Sequence, residues 1–166
     1  MASIQEDMNA LRGQVEAGAI QRAYRALLGF MMGLRTHFRK GYPGLAVSGL
    51  YQGYLDMSYF AVAPASLKSR KLKIAIVFSF DAFRFEAWLA AANRRVQRQY
   101  WELFREKGWD AYRLVTPAVG VDAILECVLA EDPDLGDPDG LTARIEARVT
   151  AFIEEVEGFL AEHEAG

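Results

Sequence analysis

The sequence predicts an α+β fold in which N-terminal, middle and C-terminal helices pack on a small, mostly antiparallel sheet of three to five strands. Two observations carry this prediction. Apolar residues alternate with others over about 72–89, which is the pattern of a central β-hairpin. Near both ends of the chain, apolar residues recur every three or four positions, which is the helical period. The length is typical of a single domain, 1–166, and we expect 1–18 and 161–166 at its periphery.

Two helices are predicted before the sheet. Ser3 and Glu6 have the spacing of a capping box, and the apolar residues beside it recur at helical spacing. These apolar residues are Ile4, Met8, Leu11 and Val15. They predict a first helix over about 4–17, which Gly18 ends. A second helix, ending near Lys40, is predicted by an unbroken stripe of large side chains: Ile20, Tyr24, Leu27, Met31, Leu34 and Phe38.

The middle of the chain predicts strands. The segment 51–60 is rich in aromatic residues and Gly, which favours a strand closed by Pro64. A short strand at 45–48 is placed to pair with it, and 65–71 is a polar connector to the hairpin, whose turn is Asp81-Ala82. In the first hairpin strand, alternation puts Leu72, Ile74, Ile76, Phe78 and Phe80 on one face and Lys73, Ala75, Val77 and Ser79 on the other.

Four further elements follow the hairpin. A helix is predicted over 93–107, because Asn93 is a good cap residue and a helical stripe follows it. Residues 109–115 predict a short strand and residues 121–130 a short helix. The last helix begins after the cap residue Asp137 and carries the C-terminal apolar stripe.

A polar and aromatic wall is the main functional candidate. If the three central strands lie side by side, the face opposite the apolar stripe carries Gln52, Tyr54, Asp56, Ser58, Lys73, Ser79, Arg84, Glu86 and Trp88. Such a polar and aromatic sheet face is suited to bind a small polar ligand or an acidic partner, because Tyr and Trp supply stacking area and the charges orient the bound molecule. The candidate ligand-binding residues are Tyr54, Asp56, Lys73, Arg84, Glu86 and Trp88. A solvated sheet face with cross-strand ion pairs explains the same pattern, so both interpretations stay open.

The net charge of −3 conceals an asymmetry along the chain. Residues 1–117 carry 17 Lys and Arg against 9 Asp and Glu, whereas residues 118–166 carry 2 against 13. The basic residues Arg94, Arg95 and Arg98 lie at the start of a predicted helix, where the helix dipole disfavours cations. Three explanations stay open: pairing with the acidic C-terminal segment of the same chain or of a second copy in a homodimer, contact with nucleic-acid phosphates, and no partner.

The case for an enzyme is weak in this sequence. Asp56, Glu86 and Lys73 invite comparison with metal-dependent nucleases, in which acids and a Lys hold Mg²⁺ and activate water. Glu86 is not followed two positions later by the Lys that such nucleases carry. We therefore predict no metal, no cofactor and no catalytic residues. An unrecognised enzyme is the third hypothesis, and it requires a buried pair among Asp56, Glu86, Lys73 and His37.

The sequence also bears on location. No apolar run approaches the roughly 18 to 20 residues that span a bilayer, and the first residues lack the basic start and apolar middle of a signal peptide. Cys127 is the only cysteine, which fits a reducing compartment, because secreted domains of this size more often carry paired cysteines. We expect a cytoplasmic protein without a membrane partner.

Several stretches of the chain are distinctive. They are Tyr51-Gln52-Gly53-Tyr54-Leu55-Asp56-Met57-Ser58-Tyr59-Phe60, Lys71-Leu72-Lys73-Ile74-Ala75-Ile76-Val77-Phe78, Arg84-Phe85-Glu86-Ala87-Trp88-Leu89-Ala90 and Tyr100-Trp101. In these stretches the chain resembles a bacterial family of small proteins catalogued only as a domain of unknown function, and the resemblance implies no activity. A fainter similarity, over 72–115, is to a domain found beside restriction-endonuclease-like modules.

Together these observations favour a non-enzymatic ligand- or partner-binding or regulatory module that uses the polar sheet face. The alternative is a nucleic-acid-associated protein of a restriction or defence context, with Arg94, Arg95 and Arg98 on phosphates. Whether the candidate residues form a binding site or part of the core depends on which face of the sheet the helices cover. A helix over Glu86 and Trp88 would bury the candidate residues.

Overall fold

A computed structural model describes residues 1–164 of the chain. The helices are α1 (Ile4–Ala17), α2 (Ala19–Gly41), α3 (Ala65–Lys68), α4 (Arg94–Glu106) and α5 (Pro138–His163). The strands are β1 (Leu45–Val47), β2 (Tyr51–Gln52), β3 (Met57–Pro64), β4 (Leu72–Ser79), β5 (Arg84–Ala91), β6 (Arg113–Leu114) and β7 (Ala123–Glu131). The predicted α+β class is confirmed, although the sheet has seven strands rather than three to five.

The strands form one antiparallel sheet in the order β1-β3-β4-β5-β7-β6, with β2 also paired to β3. The predicted central hairpin is β4 and β5, with pairs running from Leu72↔Ala91 to Ser79↔Arg84. Its connection is residues 80–83 rather than two residues, and Phe83 adopts a left-handed φ of 52° to close it. The hairpin therefore lies at the centre of the sheet, as its alternation predicted.

The predicted helix at 121–130 is wrong, because this segment is strand β7. The pairing of β7 with β5 shifts register twice, between Phe85 and Glu86 and again between Leu89 and Ala90. Each shift adds a residue to one strand and moves later side chains out of strict alternation. The resulting spacing of apolar residues imitates a helical period over this short segment.

The predicted strand over 51–60 is divided in two. The chain turns at 53–56 between β2 and β3, and a Cβ built on Gly53 would lie 1.9 Å from the carbonyl oxygen of Met57. Only Gly allows this close approach of two backbone segments. Two other elements differ slightly from the prediction. The connector at 65–71 contains helix α3, and the strand predicted at 109–115 is only the two residues of β6.

The core lies between one face of the sheet and the helices α2, α4 and α5. The hairpin and β3 contribute Phe60, Val62, Leu72, Ile74, Ile76, Phe78, Phe85, Ala87 and Leu89 to it. From α2 come Leu27, Met31, Leu34 and Phe38, which confirms the later part of the predicted stripe, whereas Ile20 at its start is 40% exposed. Each of these large side chains contributes about 1.5–3 kcal/mol on burial, so this layer accounts for most of the hydrophobic stabilisation.

The acidic helix α5 contacts the basic N-terminal part of the same chain. Glu146 lies 2.7 Å from Nε2 of His37 and accepts a hydrogen bond from the hydroxyl of Tyr42. Near the other end of the helix, Arg70 donates to Glu164 at 2.7 Å. Some acidic residues of the C-terminal segment are thus paired with residues of the N-terminal part of the same molecule. Residues 165 and 166, part of the expected C-terminal periphery, lie outside the described residues.

Acid should weaken the contact at Glu146. The hydrogen bonds from Tyr42 and His37 hold the pKa of Glu146 below its ordinary value of 4.5. A carboxyl group with a lower pKa in the folded chain stabilises the fold above its unfolded pKa, and this contribution is lost as the pH falls through the folded pKa. We expect urea unfolding at stepped pH to show about 1 kcal/mol of acid-dependent loss below pH 4.5 that Glu146→Gln lacks. Equal pH profiles for the two proteins would contradict this assignment.

Candidate functional site

One face of the sheet is not covered by any helix of residues 1–164, and we call it the open face. Its side chains are Met57, Tyr59, Ala61 and Ala63 of β3, Lys73, Ala75, Val77 and Ser79 of β4, Arg84, Glu86, Trp88 and Ala90 of β5, and Glu126 and Val128 of β7. Small residues lie beneath larger ones, so that Ala75 and Ala90 are only 4% and 5% exposed. The candidate residues Lys73, Arg84, Glu86 and Trp88 therefore lie on the open face and not in the core.

A hydrogen-bonded network joins three of the predicted site residues. Glu86 is 4% exposed, and each of its carboxylate oxygens accepts one bond: Oε2 from Nε of Arg84 at 2.7 Å, and Oε1 from Nε1 of Trp88 at 2.9 Å. The bond to Glu86 raises the pKa of the Arg84 guanidinium above its ordinary value. Because the buried carboxylate is satisfied on both oxygens, this network fixes the indole ring of Trp88 and leaves no free base on Glu86.

Arg84 extends the network across the sheet. Its other two nitrogens lie 3.4 Å from Glu126 and 3.2 Å from Glu131, and Arg113 also contacts Glu126 at 3.4 Å. The pairs with Glu131 and Arg113 involve exposed side chains and contribute little, whereas the pair with Glu86 is shielded from water. The result is a rigid polar strip at one end of the open face.

Beside this strip lies a depression of about 210 Å³. Its sides are formed by Tyr59, Lys73, Trp88 and Asp122, and Ala75 and Ala90 form part of its floor. The ammonium group of Lys73 lies 6.0 Å from the centre of the Tyr59 ring, at the outer limit of a cation–π contact. The depression thus combines two aromatic side chains with one cation and one carboxylate.

A second depression, of about 360 Å³, adjoins the first at Lys73. Its apolar lining includes Ala46, Ala61 and Ala63, together with Val47, Val62 and Leu72. Lys68 and Lys71 add two ammonium groups to its lining. The two depressions together form an apolar surface with a basic border.

Two of the predicted site residues lie elsewhere. Tyr54 is 93% exposed in the connection at 53–56, and Asp56 is exposed at the end of the same connection. The prediction that Ser58 shares the polar face is wrong, because Ser58 pairs with Phe78 and is fully buried on the helix-covered side. Neither Tyr54 nor Asp56 lines the depression that contains Trp88.

Tyr59 and Asp122 line the depression but were not predicted. Alternation counted from Gln52 put even-numbered residues of β3 on the polar face, although the turn at 53–56 interrupts the strand. The alternate large apolar residues Phe60 and Val62 were a usable signal, because both point into the core and so place Tyr59 opposite them. Asp122 gave no such signal, since it precedes a strand that the sequence predicted as a helix.

The three arginines of the nucleic-acid alternative have different surroundings. Arg94 lies 3.0 Å from Asp122 and donates hydrogen bonds to Gln97 and to the carbonyl of Val121. It is therefore engaged with the loop that precedes β7 in its own chain. Arg95 and Arg98 are exposed on the surface of α4.

The residues required by the enzyme hypothesis do not come together. Asp56 is exposed, Glu86 is paired with Arg84, and Lys73 lies near Tyr59. His37 contacts Glu146 on the helix side of the sheet. Within residues 1–164, no three His, Cys, Asp or Glu side chains are grouped closely enough to hold a metal ion.

Cys127 lies on β7, in the segment predicted as a helix, and it is buried. Burial raises the pKa of its thiol to about 11, so the thiolate that reacts with electrophiles is scarce at neutral pH. In the described part of the chain, no helix has the length and hydropathy needed to cross a bilayer.

Comparisons with known proteins bear on the family and not on an activity. No curated protein and no solved structure matches the chain. The fainter similarity to a domain found beside restriction-endonuclease-like modules is not shown. The family described as "Domain of unknown function (DUF7000)" matches residues 4–160, from α1 to near the end of α5. The resemblance to a domain of unknown function is thereby confirmed, and the chain belongs to the DUF7000 family.

Proposed function

We propose that this chain is a non-enzymatic, cytoplasmic binding module that holds a small anion with a planar, unsaturated part on the open face. The observation that supports this proposal is the pair of adjoining depressions, in which Tyr59, Lys73 and Trp88 stand around an alanine floor. The first depression alone is smaller than typical small-molecule pockets, which measure about 300–1,000 Å³. With the second depression, the surface reaches that range.

The side chains of this surface favour a planar ligand. Trp88 and Tyr59 offer aromatic area, and small Ala side chains between them leave room for a ring. The indole of Trp88 is held by Glu86, so little side-chain entropy remains to be lost when a ligand stacks on it. Pre-organised aromatic side chains are a common basis of affinity for flat molecules.

The charges of the same surface favour an anion. Lys73 borders both depressions, and Lys68 and Lys71 border the second. The carboxylate of Asp122 is paired with Arg94, and Glu86 is paired with Arg84, so the acids nearby are largely neutralised. The ammonium groups are therefore the charges left to orient a ligand.

A fluorescent aromatic sulfonate, 8-anilino-1-naphthalenesulfonate, tests the proposal, because it combines a planar apolar body with one anionic group. Titration into the native protein should give saturable binding, and Lys73→Met should weaken it about five-fold through the lost cation. Trp88→Ala should weaken it further by removing the stacking surface. Near-ultraviolet circular dichroism checks that both variants stay folded.

Two matched variants serve as controls for this titration. Lys107→Met removes an exposed ammonium group at the end of α4, and Tyr54→Ala removes an aromatic ring that is 93% exposed outside the depressions. Both should leave the affinity unchanged. Equal affinity in Lys73→Met, Trp88→Ala and the parent protein would reject the open face as the binding surface.

The nucleic-acid alternative predicts a different result. Binding of DNA or RNA at low salt, weakened by replacing Arg95 and Arg98 and falling steeply as salt is raised, would favour it. The proposal of an anion-binding open face predicts that these replacements do not change sulfonate binding.

A further inference from the structure

The helix α1 has an apolar stripe that no other part of residues 1–164 covers. Its four apolar side chains are exposed: Ile4 by 77%, Met8 by 53%, Leu11 by 50% and Val15 by 46%. None of the helix's 14 residues is buried. An isolated helix of this length is marginal in water, so an exposed apolar stripe on it calls for a partner surface.

The local geometry turns α1 away from the core. Gly18 ends the helix in a left-handed conformation with φ of 78°, and α2 begins at the next residue. The capping box is complete: Ser3 Oγ accepts from the backbone of Glu6, and Glu6 accepts from the backbone of Ser3 at 2.6 Å. A capped helix beginning at Ile4 is thus specified by the sequence, although it buries no side chain in its own chain.

The stripe has the spacing of a coiled-coil seam. Met8 and Val15 are seven residues apart and occupy a positions, while Ile4 and Leu11 occupy d positions. The flanking g and e positions then hold Asp7 and Arg12. In a parallel pair of helices, a g residue faces the e residue five positions later on the other helix. Asp7 of each copy therefore faces Arg12 of the other copy.

An antiparallel pair of the same helices lacks this match. There, g positions face g positions and e positions face e positions, so that Asp7 meets Gln14 and Arg12 meets Gln5. Opposite charges therefore meet only in the parallel arrangement. Charge complementarity favours a second copy of α1 in parallel orientation as the partner.

Other partners fit the charge of α1 less well. The helix carries Glu6, Asp7 and Glu16 against the single cation Arg12, and it has no Lys. Helices that lie on anionic membranes are rich in Lys and Arg on their polar face, and nucleic-acid contacts require cations as well. A parallel pair of α1 helices buries the apolar stripe and brings the flanking charges Asp7 and Arg12 together.

We propose that the protein forms a parallel, two-fold symmetric dimer through α1. Two heptads give an interface at the small end of specific protein contacts, so the dimer is concentration-dependent, with a Kd on the order of 10 µM. The inference is independent of the proposed ligand, because it uses no residue of the open face.

Sedimentation equilibrium of the full chain tests the association. The parent protein should show a monomer–dimer equilibrium, and Leu11→Asp should be monomeric with an unchanged unfolding temperature, because Leu11 is 50% exposed on a helix that buries none of its residues. A parent protein that is monomeric throughout the micromolar range, or a Leu11→Asp variant that still dimerises, would overturn the proposal.

The charge pairs are tested by exchange. Asp7→Arg and Arg12→Asp should each weaken self-association about ten-fold, because each brings like charges together at both pairs. A mixture of the two variants should regain association, since each altered chain then meets a complementary one. If the mixture associates no better than either variant alone, the parallel register is wrong.

Orientation is tested by oxidation of Ile4→Cys. In a parallel dimer, position 4 meets position 4 of the second copy, and the new thiols should form an intermolecular disulfide. Cys127 does not compete, because it is 5% exposed and the pKa of its thiol is about 11. Asn9→Cys, on the outer side of the helix, is the matched control and should stay reduced. Equal cross-linking of the two variants, or dimerisation without a disulfide in Ile4→Cys, would overturn the parallel arrangement.

Discussion

Replacing Arg84 by Met should lower the free energy of unfolding by about 3 kcal/mol, although Arg84 lies on the open face and not in the core. The reason is the carboxylate of Glu86, which is 4% exposed and pairs with Arg84 at 2.7 Å. Without the guanidinium, a buried charge keeps only its bond to Trp88. Urea unfolding at pH 7, followed by tryptophan fluorescence, measures the loss.

A double-mutant cycle separates the pair from its surroundings. Arg84→Met with Glu86→Leu should be much closer to the parent protein than Arg84→Met alone, because the second change removes the uncompensated charge. Glu131→Gln removes an exposed partner of the same arginine and should cost less than about 0.5 kcal/mol. Additive losses in the double variant would show that Glu86 does not depend on Arg84.

Phe78→Ala should cost about 3–5 kcal/mol, which is the range for removing a buried aromatic side chain. Phe78 is 2% exposed, and its ring contacts those of Phe80, Phe83 and Phe85 at centroid distances of 5.0, 5.3 and 5.1 Å. Truncation leaves a cavity between the hairpin and the helices that these neighbours fill only in part. Thermal and urea unfolding should both show the loss.

Phe83→Ala is the matched control for this change. It removes a ring from the same aromatic cluster, but Phe83 is 61% exposed in the hairpin connection. Its truncation should cost less than about 1 kcal/mol, because little apolar surface is returned to water. Similar losses in the two variants would mean that Phe78 does not anchor the hairpin.

The elements that the sequence predicted well are those in which local pattern and tertiary burial agree. The stripe from Leu27 to Phe38 lies on one side of α2 and faces the core along its length. In the hairpin, Ile74 and Ile76 alternate with Lys73 and Ala75 without interruption, because β4 and β5 pair in a single register. In such elements the spacing of apolar residues along the sequence matches the repeat of the helix or strand that they form.

The elements predicted poorly are those in which the backbone departs from a regular period. The register shifts against β5 hide the strand β7, and the close contact of Gly53 with Met57 divides β2 from β3. The register shifts depend on a partner strand that is remote in sequence, so the period of neighbouring residues does not reveal them. The contact of Gly53 with Met57 is local, but it belongs to a turn inside a segment whose composition is typical of one continuous strand.

The candidate site follows the same division. Lys73, Arg84, Glu86 and Trp88 lie on the hairpin, and the sequence placed their face correctly. Tyr54 and Asp56 were placed by continuing an alternation through a turn, and the structure puts them in the connection at 53–56. The spacing of Arg84, Glu86 and Trp88 puts them on one face of β5 but does not predict that Glu86 bonds to both of the others. Those bonds depend on the conformations of the side chains.

The sheet ends on strands of only three residues at β1 and two residues at β6. A strand as short as β1 offers few unpaired backbone groups to a passing strand, so it is a poor template for growth of the sheet from one molecule to the next. On the other side, β6 pairs only with Leu125 and Glu126, so the rest of β7 stays an edge of the sheet. The protection at β1 matters for a protein that leaves one sheet face bare, since exposed strands with a ready edge tend to aggregate. The short β1 edge therefore limits one route by which molecules with a bare sheet face could join edge to edge.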